Sequence, residues 1–253
     1  MHSHLLAAAV LATLLVSAAT SDFAFYKLSL IWPTSACNTG IECKSSIPKM
    51  FTIHGLWPTF ADGTRVPPYN GVTNKCNPNP VGPEAILEKL MPIKGKLELM
   101  WPNLRYNKED SAFWKIEWEH HGMCSDYYQD PYGYFNAALT LAETSQYNPL
   151  KVMGIQPADK TLYQVKKILD NVKKKVGAYP QISCNMMLKV GTLQLREIRF
   201  CFKRTKKLPP SVLQDCPNKV DDRCTNPETD YVRFPPASPI FSTPNITWEF
   251  DFI

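Results

Sequence analysis

Phe51-Thr52-Ile53-His54-Gly55-Leu56-Trp57-Pro58 joins a strand-like run, Phe51 to Ile53, to turn signals at Gly55 and Pro58. His54 falls where that strand is expected to stop, so its ring can lean out beside a cleft. A second stretch, Phe113-Trp114-Lys115-Ile116-Glu117-Trp118-Glu119-His120-His121-Gly122-Met123-Cys124, lies on a helix predicted from Ser111 to Gly122. Residues four apart share a helix face, so Glu117 and His121 project together and Phe113 extends the stripe by one turn. Beyond residue 21 the chain has only three histidines, and these two stretches hold all of them. Imidazole both takes and gives a proton near neutrality, so the pattern points to acid–base chemistry.

Outward from these stretches, Phe25 to Trp32 alternates roughly and stops at Pro33, as a strand does. Ala61 to Pro83 is rich in Pro, Gly and Asn and reads as a long surface loop pinned by Cys76. Pro83-Glu84 opens a predicted helix to about Leu90. Further helices are predicted over Tyr134–Thr144 and Thr161–Val176, the second with a solvated lysine-rich face. Cys184–Val190 and Leu193–Phe202 form a predicted hairpin around Gly191-Thr192. Trp57, Phe60, Trp114 and Trp118 suit core or cleft packing, with Trp57 next to His54. Strands and helices mix without a βαβ rhythm or a phosphate-loop glycine pattern, so the expected class is α+β.

Leu5 to Ala19 is almost wholly apolar, and Ser17, Ala19 and Ser21 offer cleavage sites, so residues 1–21 read as a signal peptide. His2 and His4 therefore fall outside the expected mature chain, which has no membrane span. Roughly 230 mature residues suffice for one substantial core. The chain has 28 Lys+Arg against 23 Asp+Glu, a net +5, which is a moderate bias toward polyanions. Its eight cysteines are Cys37, Cys43, Cys76, Cys124, Cys184, Cys201, Cys216 and Cys224. An even number behind a signal implies four disulfides in an oxidising compartment, although about a hundred pairings are open. Cys37–Cys43 is the natural local pair, and the last four suit two nested loops. No Cys-x-x-Cys pair occurs, which argues against zinc. Glu117, His120 and His121 make a poor metal set, because neighbouring helical residues point about 100° apart. Asn245-Ile246-Thr247 is the glycosylation sequon.

Two imidazoles and a carboxylate suit the cleavage of RNA through its own 2′-hydroxyl. A base removes that proton, an acid protonates the leaving 5′-oxygen, and a further group steadies the phosphorane charge. No cofactor is called for. Glu117 can orient an imidazolium or, when protonated, donate to a phosphoryl oxygen; His120 can add positive charge.

At this point the chain resembles the T2 family of secreted ribonucleases. Phe51 to Pro58 matches the family's first active-site segment throughout, and Phe113 to Cys124 matches the second at its framework positions. The likeness extends to Leu28-Ser29-Leu30-Ile31-Trp32-Pro33, Trp101-Pro102-Asn103-Leu104, Gly154-Ile155-Gln156-Pro157, Leu195-Arg196-Glu197-Ile198-Arg199-Phe200-Cys201 and Arg233-Phe234-Pro235. It thus covers residues 23 to 236, and a catalytic domain is expected over 22–236, followed by a C-terminal extension, 237–253.

The resemblance implies an antiparallel sheet carrying the site, with helices around it. By position it makes His54 the general acid, His121 the general base and Glu117 the active-site glutamate. Lys27, Trp57, Asn103, Leu104, Phe113, Ile116 and His120 become the candidate contacts to single-stranded RNA. It implies the disulfides Cys37–Cys43, Cys76–Cys124, Cys184–Cys224 and Cys201–Cys216. Three positions depart from the family: His120 stands where lysine is usual, Ile116 where many members have histidine, and Lys27 for a glutamine. The first two swaps remove a permanent cation and a donor. A pI near 8.7 and the opening Phe23-x-Phe25-Tyr26-x-Leu28 resemble the stylar self-incompatibility branch, which implies a pollen-side protein partner. The alternatives are an S-like enzyme of phosphate scavenging or defence, and a catalytically weakened binding or storage protein. Secretion is expected, with vacuolar sorting through the extension as its variant.

Overall fold

The computed structural model describes residues 23–188, 191–205 and 208–237. The expected signal segment, the sequon at Asn245 and all of the expected extension except Ala237 lie outside the described residues. So do the last two residues of the predicted strand Cys184–Val190.

Among the described residues eight strands form one sheet: β1 (Phe25–Ile31), β2 (Thr52–Thr59), β3 (Ala158–Gln164), β4 (Gln181–Met187), β5 (Thr192–Lys203), β6 (Leu213–Gln214), β7 (Val220–Asp222) and β8 (Tyr231–Phe234). Its main path runs β2-β1-β5-β4-β7. The α-helices are α1 (Pro33–Cys37), α2 (Ile86–Leu90), α3 (Lys94–Met100), α4 (Asp110–His120), α5 (Pro131–Glu143), α6 (Pro149–Val152) and α7 (Val165–Val176). The fold is α+β, as expected. The sheet is not wholly antiparallel, however: β4 pairs β7, and β5 meets β8, in parallel.

Every residue of β1 is buried, yet the strand alternates. Successive side chains point to opposite faces of a sheet. Tyr26, Leu28 and Leu30 join Ile198, Phe200 and Phe202 in the main apolar core, beside α5. Lys27 and Ser29 face the other way, in register with Cys201 and Arg199 of β5 and with Trp57 and Gly55 of β2. The alternation therefore separates a core face from a polar, covered face rather than inside from outside. Trp101, Trp118, Tyr134 and Phe135 fill the space between helices and sheet, with Trp101 and Phe135 ring centroids 4.9 Å apart. Trp114 and Trp118 are core residues, as expected.

Several boundaries differ from expectation, among them these. The helix expected from Thr161 begins at Val165, because Leu162, Tyr163 and Gln164 pair with Arg233, Val232 and Tyr231 of β8 as strand. The helix opening at Pro83 starts as a 3-10 turn and reaches Leu90 as α2. A second 3-10 turn at Met91–Ile93, carrying Pro92, links it to α3, a helix beyond those expected. β2 does not stop at Ile53 but runs through to Thr59.

All four disulfides pair as the resemblance implied: Cys37–Cys43, Cys76–Cys124, Cys184–Cys224 and Cys201–Cys216. Cys76–Cys124 straps the loop between β2 and α2 against the turn that follows α4, closing a sequence separation of 48. A crosslink of that span removes about 4 kcal/mol of unfolded-chain entropy. No described helix is long and apolar enough to cross a membrane.

Candidate active site

His54 sits on a β-bulge. Opposite it, Ser29 pairs with Gly55 and Leu30 with Ile53, so His54 is the extra residue of β2. A strand without the bulge could not send Ile53 and Leu56 into the core while turning both His54 and Gly55 to the polar face. The bulge does both. Trp101 Nε1 donates to the His54 carbonyl at 3.0 Å and Tyr134 Oη to that of Leu56 at 2.8 Å, which fixes the backbone on either side.

His121 comes from the end of α4. The helix closes at His120, short of the expected Gly122, and His121 has φ −134 and ψ −48 while its N–H still donates to Glu117 O at 3.0 Å. Its Nε2 lies 4.0 Å from Oε2 of Glu117. Gly122 permits this exit, since a Cβ there would stand 2.1 Å from Cε3 of Trp118.

Trp57 joins the two halves. Its Nε1 donates to Oε2 of Glu117 at 3.1 Å. The His54 ring meets the indole edge-on at 5.1 Å and the His121 ring is 5.4 Å from it. Phe113 closes the cleft 6.0 Å from His54. Trp57 itself is only 1% exposed, so it packs between the two imidazoles and the carboxylate instead of offering a face to a base of RNA. Gly55 lies under its hydrogen bond: an added Cβ would fall 2.1 Å from Trp57 Nε1 and 2.2 Å from Glu117 Oε2. Gly55→Ala is therefore expected to lower kcat/KM about 10²-fold, the scale of a small misplacement of reacting groups, and to lower Tm. Parallel kinetics and thermal melts check this; wild-type values for both would contradict it.

The sequence reading gave no role to Glu197. It is 0% exposed, and its Oε1 lies 2.8 Å from His54 Nδ1. Ser29 Oγ, Arg199 Nε and Arg199 Nη2 reach its Oε2 at 2.8, 2.8 and 2.7 Å. Arg199 also pairs with Asp221 and bonds to Gln181, so a buried ionic network backs the first histidine. Its signal in the sequence was two opposite charges at alternate positions, Glu197 and Arg199, within the largely apolar half of a strand that also carries Arg196. Alternation placed both on one face, and only the fold shows that this face is covered.

These surroundings drive the two imidazoles apart. Burial works against a charge on His54, but the attraction and hydrogen bond of Glu197 outweigh it and hold its pKa above the ordinary value. Glu197 is an acceptor-only carboxylate, held ionised well below its usual range by His54 and Arg199 despite burial. Nδ1 of His54 therefore carries a proton. His121 is held well below the ordinary value by burial, reinforced by the charges of Arg65, His54 and His120. Its Nδ1 is buried with no hydrogen-bond partner among the described residues. Burial raises Glu117 to about 7, against the pull of His54 and the Trp57 hydrogen bond.

The remaining expected contacts divide. Phe113 lines the cleft; Ile116, 47% exposed, and His120 stand on the open surface of α4, with the His120 ring 6.1 Å from that of His121. Asn103 is engaged within its own loop, by Asp110, Glu109 and Arg105, and the Leu104 carbonyl accepts from Lys44 N–H. Lys27 does not meet the expectation of an RNA contact. It is 3% exposed, its Nζ donates to Gly63 O at 3.2 Å, and burial, with the Arg199 charge, lowers its pKa to about 8. The turn after β2 covers it.

Two imidazoles and a neighbouring carboxylate, gathered on this sheet, are groups that can serve acid–base cleavage of a phosphodiester. Residues 23–216 match the model of the Ribonuclease T2 family, and the chain belongs to that family. It is 34% identical over 214 residues to Ribonuclease 1 of Arabidopsis thaliana, covering 82% of this chain and 86% of that one. It is 31% identical over 223 residues to Ribonuclease S-7 of Nicotiana alata, covering 84% and 89%. Among solved structures, RNase NT in complex with 5′-AMP superposes with a TM-score of 0.66 at 26% identity, over 85% of this chain and 99% of that one. The protein is a ribonuclease.

Proposed function

We propose that the protein cleaves single-stranded RNA by transphosphorylation, without a metal cofactor, through a 2′,3′-cyclic phosphate. The opposite displacement of the two histidine pKa values carries this reading: groups whose surroundings push their pKa values apart take the acid and base roles. His121, held neutral, accepts the 2′-hydroxyl proton on Nε2, since its Nδ1 is wholly buried. The 2′-oxygen then bonds to phosphorus and the P–O5′ bond breaks. His54, held protonated, gives its Nε2 proton to the departing 5′-oxygen while Glu197 keeps Nδ1. Glu117, raised to about 7, is protonated over much of the acid range and donates to a phosphoryl oxygen there. Phe113 and the exposed side of α4 flank the RNA.

The products test the mechanism. Digestion of a defined oligonucleotide is expected to give 2′,3′-cyclic phosphates and 5′-hydroxyls by mass spectrometry, with full activity in EDTA. Products with 5′-phosphates, or abolition by EDTA, would overturn it.

The catalytic unit spans 22–236, freed of a signal peptide, in an extracellular or vacuolar compartment that keeps four disulfides oxidised. The basic pI and the Phe23–Leu28 opening support the stylar branch, with a pollen-side protein as partner. Expression confined to the pistil tests that role, and expression in phosphate-starved leaves would favour the S-like role.

A further inference from the structure

We propose that Arg65, on the turn that follows β2, is the permanent cation that binds the non-bridging oxygens of the scissile phosphate. This rests on the ribonuclease reading and adds to it a residue from outside both histidine-bearing segments.

The need arises on α4. A phosphorane transition state carries more negative charge than its ground state, and a fixed positive group aimed at it acts strongly. The helix offers an aliphatic side chain at Ile116 and an imidazole, not a guanidinium or ammonium, at His120. Lys27 is buried and engaged by Gly63 O. Arg199 is buried behind Glu197, and Arg196 pairs with Glu197 at 3.3 Å. Each of these cations is committed.

Arg65 is exposed, and among the described residues its guanidinium makes no ion pair and no side-chain hydrogen bond. Five N–H donors in a planar fork are open to a phosphate, which they match two at a time. The group is also placed with care. β2 turns back on itself, with Phe60 N–H donating to Thr64 O at 2.8 Å and Val66 N–H to Pro58 O at 3.1 Å, so that Arg65 pairs with Thr59. Asp62 holds the turn through Thr64 N–H at 2.8 Å, and buried Val66 anchors its far side.

The side chain lies over the Trp57 ring, its guanidinium carbon 5.1 Å from the centroid. The same indole touches both catalytic imidazoles and bonds to Glu117, so the guanidinium shares one small cleft with all three. Its charge contributes to lowering His121 and opposes the rise of Glu117, as proximity requires.

The test uses a dinucleoside monophosphate, whose single phosphate isolates the scissile group. Arg65→Gln is expected to lower kcat/KM about 10²-fold, mostly in kcat, with Tm unchanged. Arg65→Lys, which keeps a charge without the fork, is expected to recover part of the loss. The loss persists from pH 5 to pH 8, because the guanidinium stays charged throughout. A value of kcat/KM within twofold of wild type for Arg65→Gln overturns the proposal. So does an equal loss in the Lys and Gln variants accompanied by a lower Tm, which would mean that Arg65 merely covers Trp57. Failure of the wild-type enzyme to cleave the dinucleotide would instead count against the ribonuclease mechanism. Arg65 is then read by titrating inorganic phosphate calorimetrically: a Kd at least tenfold weaker in Arg65→Gln supports its role, and an equal Kd overturns it.

Discussion

Replacement of His121 by alanine is expected to lower kcat/KM on RNA by about 10²–10⁴-fold, and His54→Ala by a similar factor, without loss of fold. These factors correspond to roughly 3–5 kcal/mol of transition-state stabilisation. The double variant is expected to lose far less than the product, because acid and base serve one concerted step. The pH dependence assigns the roles. As the proposed base, His121 works neutral and lies well below the ordinary histidine value, so the acid limb of kcat/KM is expected well below about pH 6.5. His54 works protonated and lies above that value, so the alkaline limb falls above it. Glu117, near 7, titrates above His121 and adds to the alkaline limb. Glu117→Gln removes that ionisation, and whatever alkaline limb survives in it belongs to His54. An acid limb rising through pH 6.5 in the wild-type enzyme would reverse the assignment.

The residues of this proposed acid–base pair were marked in the sequence, and their geometry was not. Histidine scarcity and the two segments marked His54, Glu117 and His121, and helical spacing placed the last two together. Spacing alone could not show that α4 ends at His120. His121 nevertheless stays beside Glu117, because its N–H keeps the bond to Glu117 O while its side chain swings with the turn. The bulge at His54 was hidden for a different reason. Gly55 and Pro58 are turn residues in isolation, but pairing with β1 on one side overrides local preference and carries the strand through both. Thr161 to Gln164 passed for the first turn of a helix until β8, far along the chain, claimed it as a strand. Cross-strand partners are invisible to a window that reads neighbours.

The charged backing of the site was missed because polarity on a strand ordinarily means solvent. Here β1 and β5 alternate between an apolar core and a second covered face, and that face holds Ser29, Glu197 and Arg199 under the loops after β2 and around β7. Trp57 is the pivot of that arrangement. It fills the space between the strand that carries His54 and the helix that carries Glu117, which is why its indole is buried rather than offered to a base. Sequence marks residue types; burial decides whether a carboxylate becomes an acid, a base or a counter-ion.

Glu197→Gln puts that last point to the test. The amide keeps the shape and an oxygen for Ser29 Oγ and Arg199, but it removes the charge that holds His54 protonated. His54 should therefore titrate at lower pH, and the alkaline limb of kcat/KM should move down with it. At pH 7 the expected loss is about 10²-fold, the scale found when the partner that orients a catalytic or ligating imidazole is removed; toward pH 5 much of it should return as His54 protonates. Stability follows the same linkage. Glu197 lies well below the ordinary carboxylate value, so its contribution is complete above about pH 5 and is lost as pH falls through that depressed pKa. His54 lies above its ordinary value, so its share is complete below about pH 6.5 and is lost as pH rises through the raised pKa. The Tm difference between wild type and variant should accordingly be widest between about pH 5 and 6.5 and narrow on both sides. Glu197→Leu is the less informative change, since leaving Arg199 buried with one partner fewer costs about 3–5 kcal/mol on its own. Ring-proton NMR of His54 reads the result directly. A His54 titration midpoint unmoved in Glu197→Gln, together with an unmoved alkaline limb, would mean that the buried carboxylate holds the sheet together and leaves the acid alone.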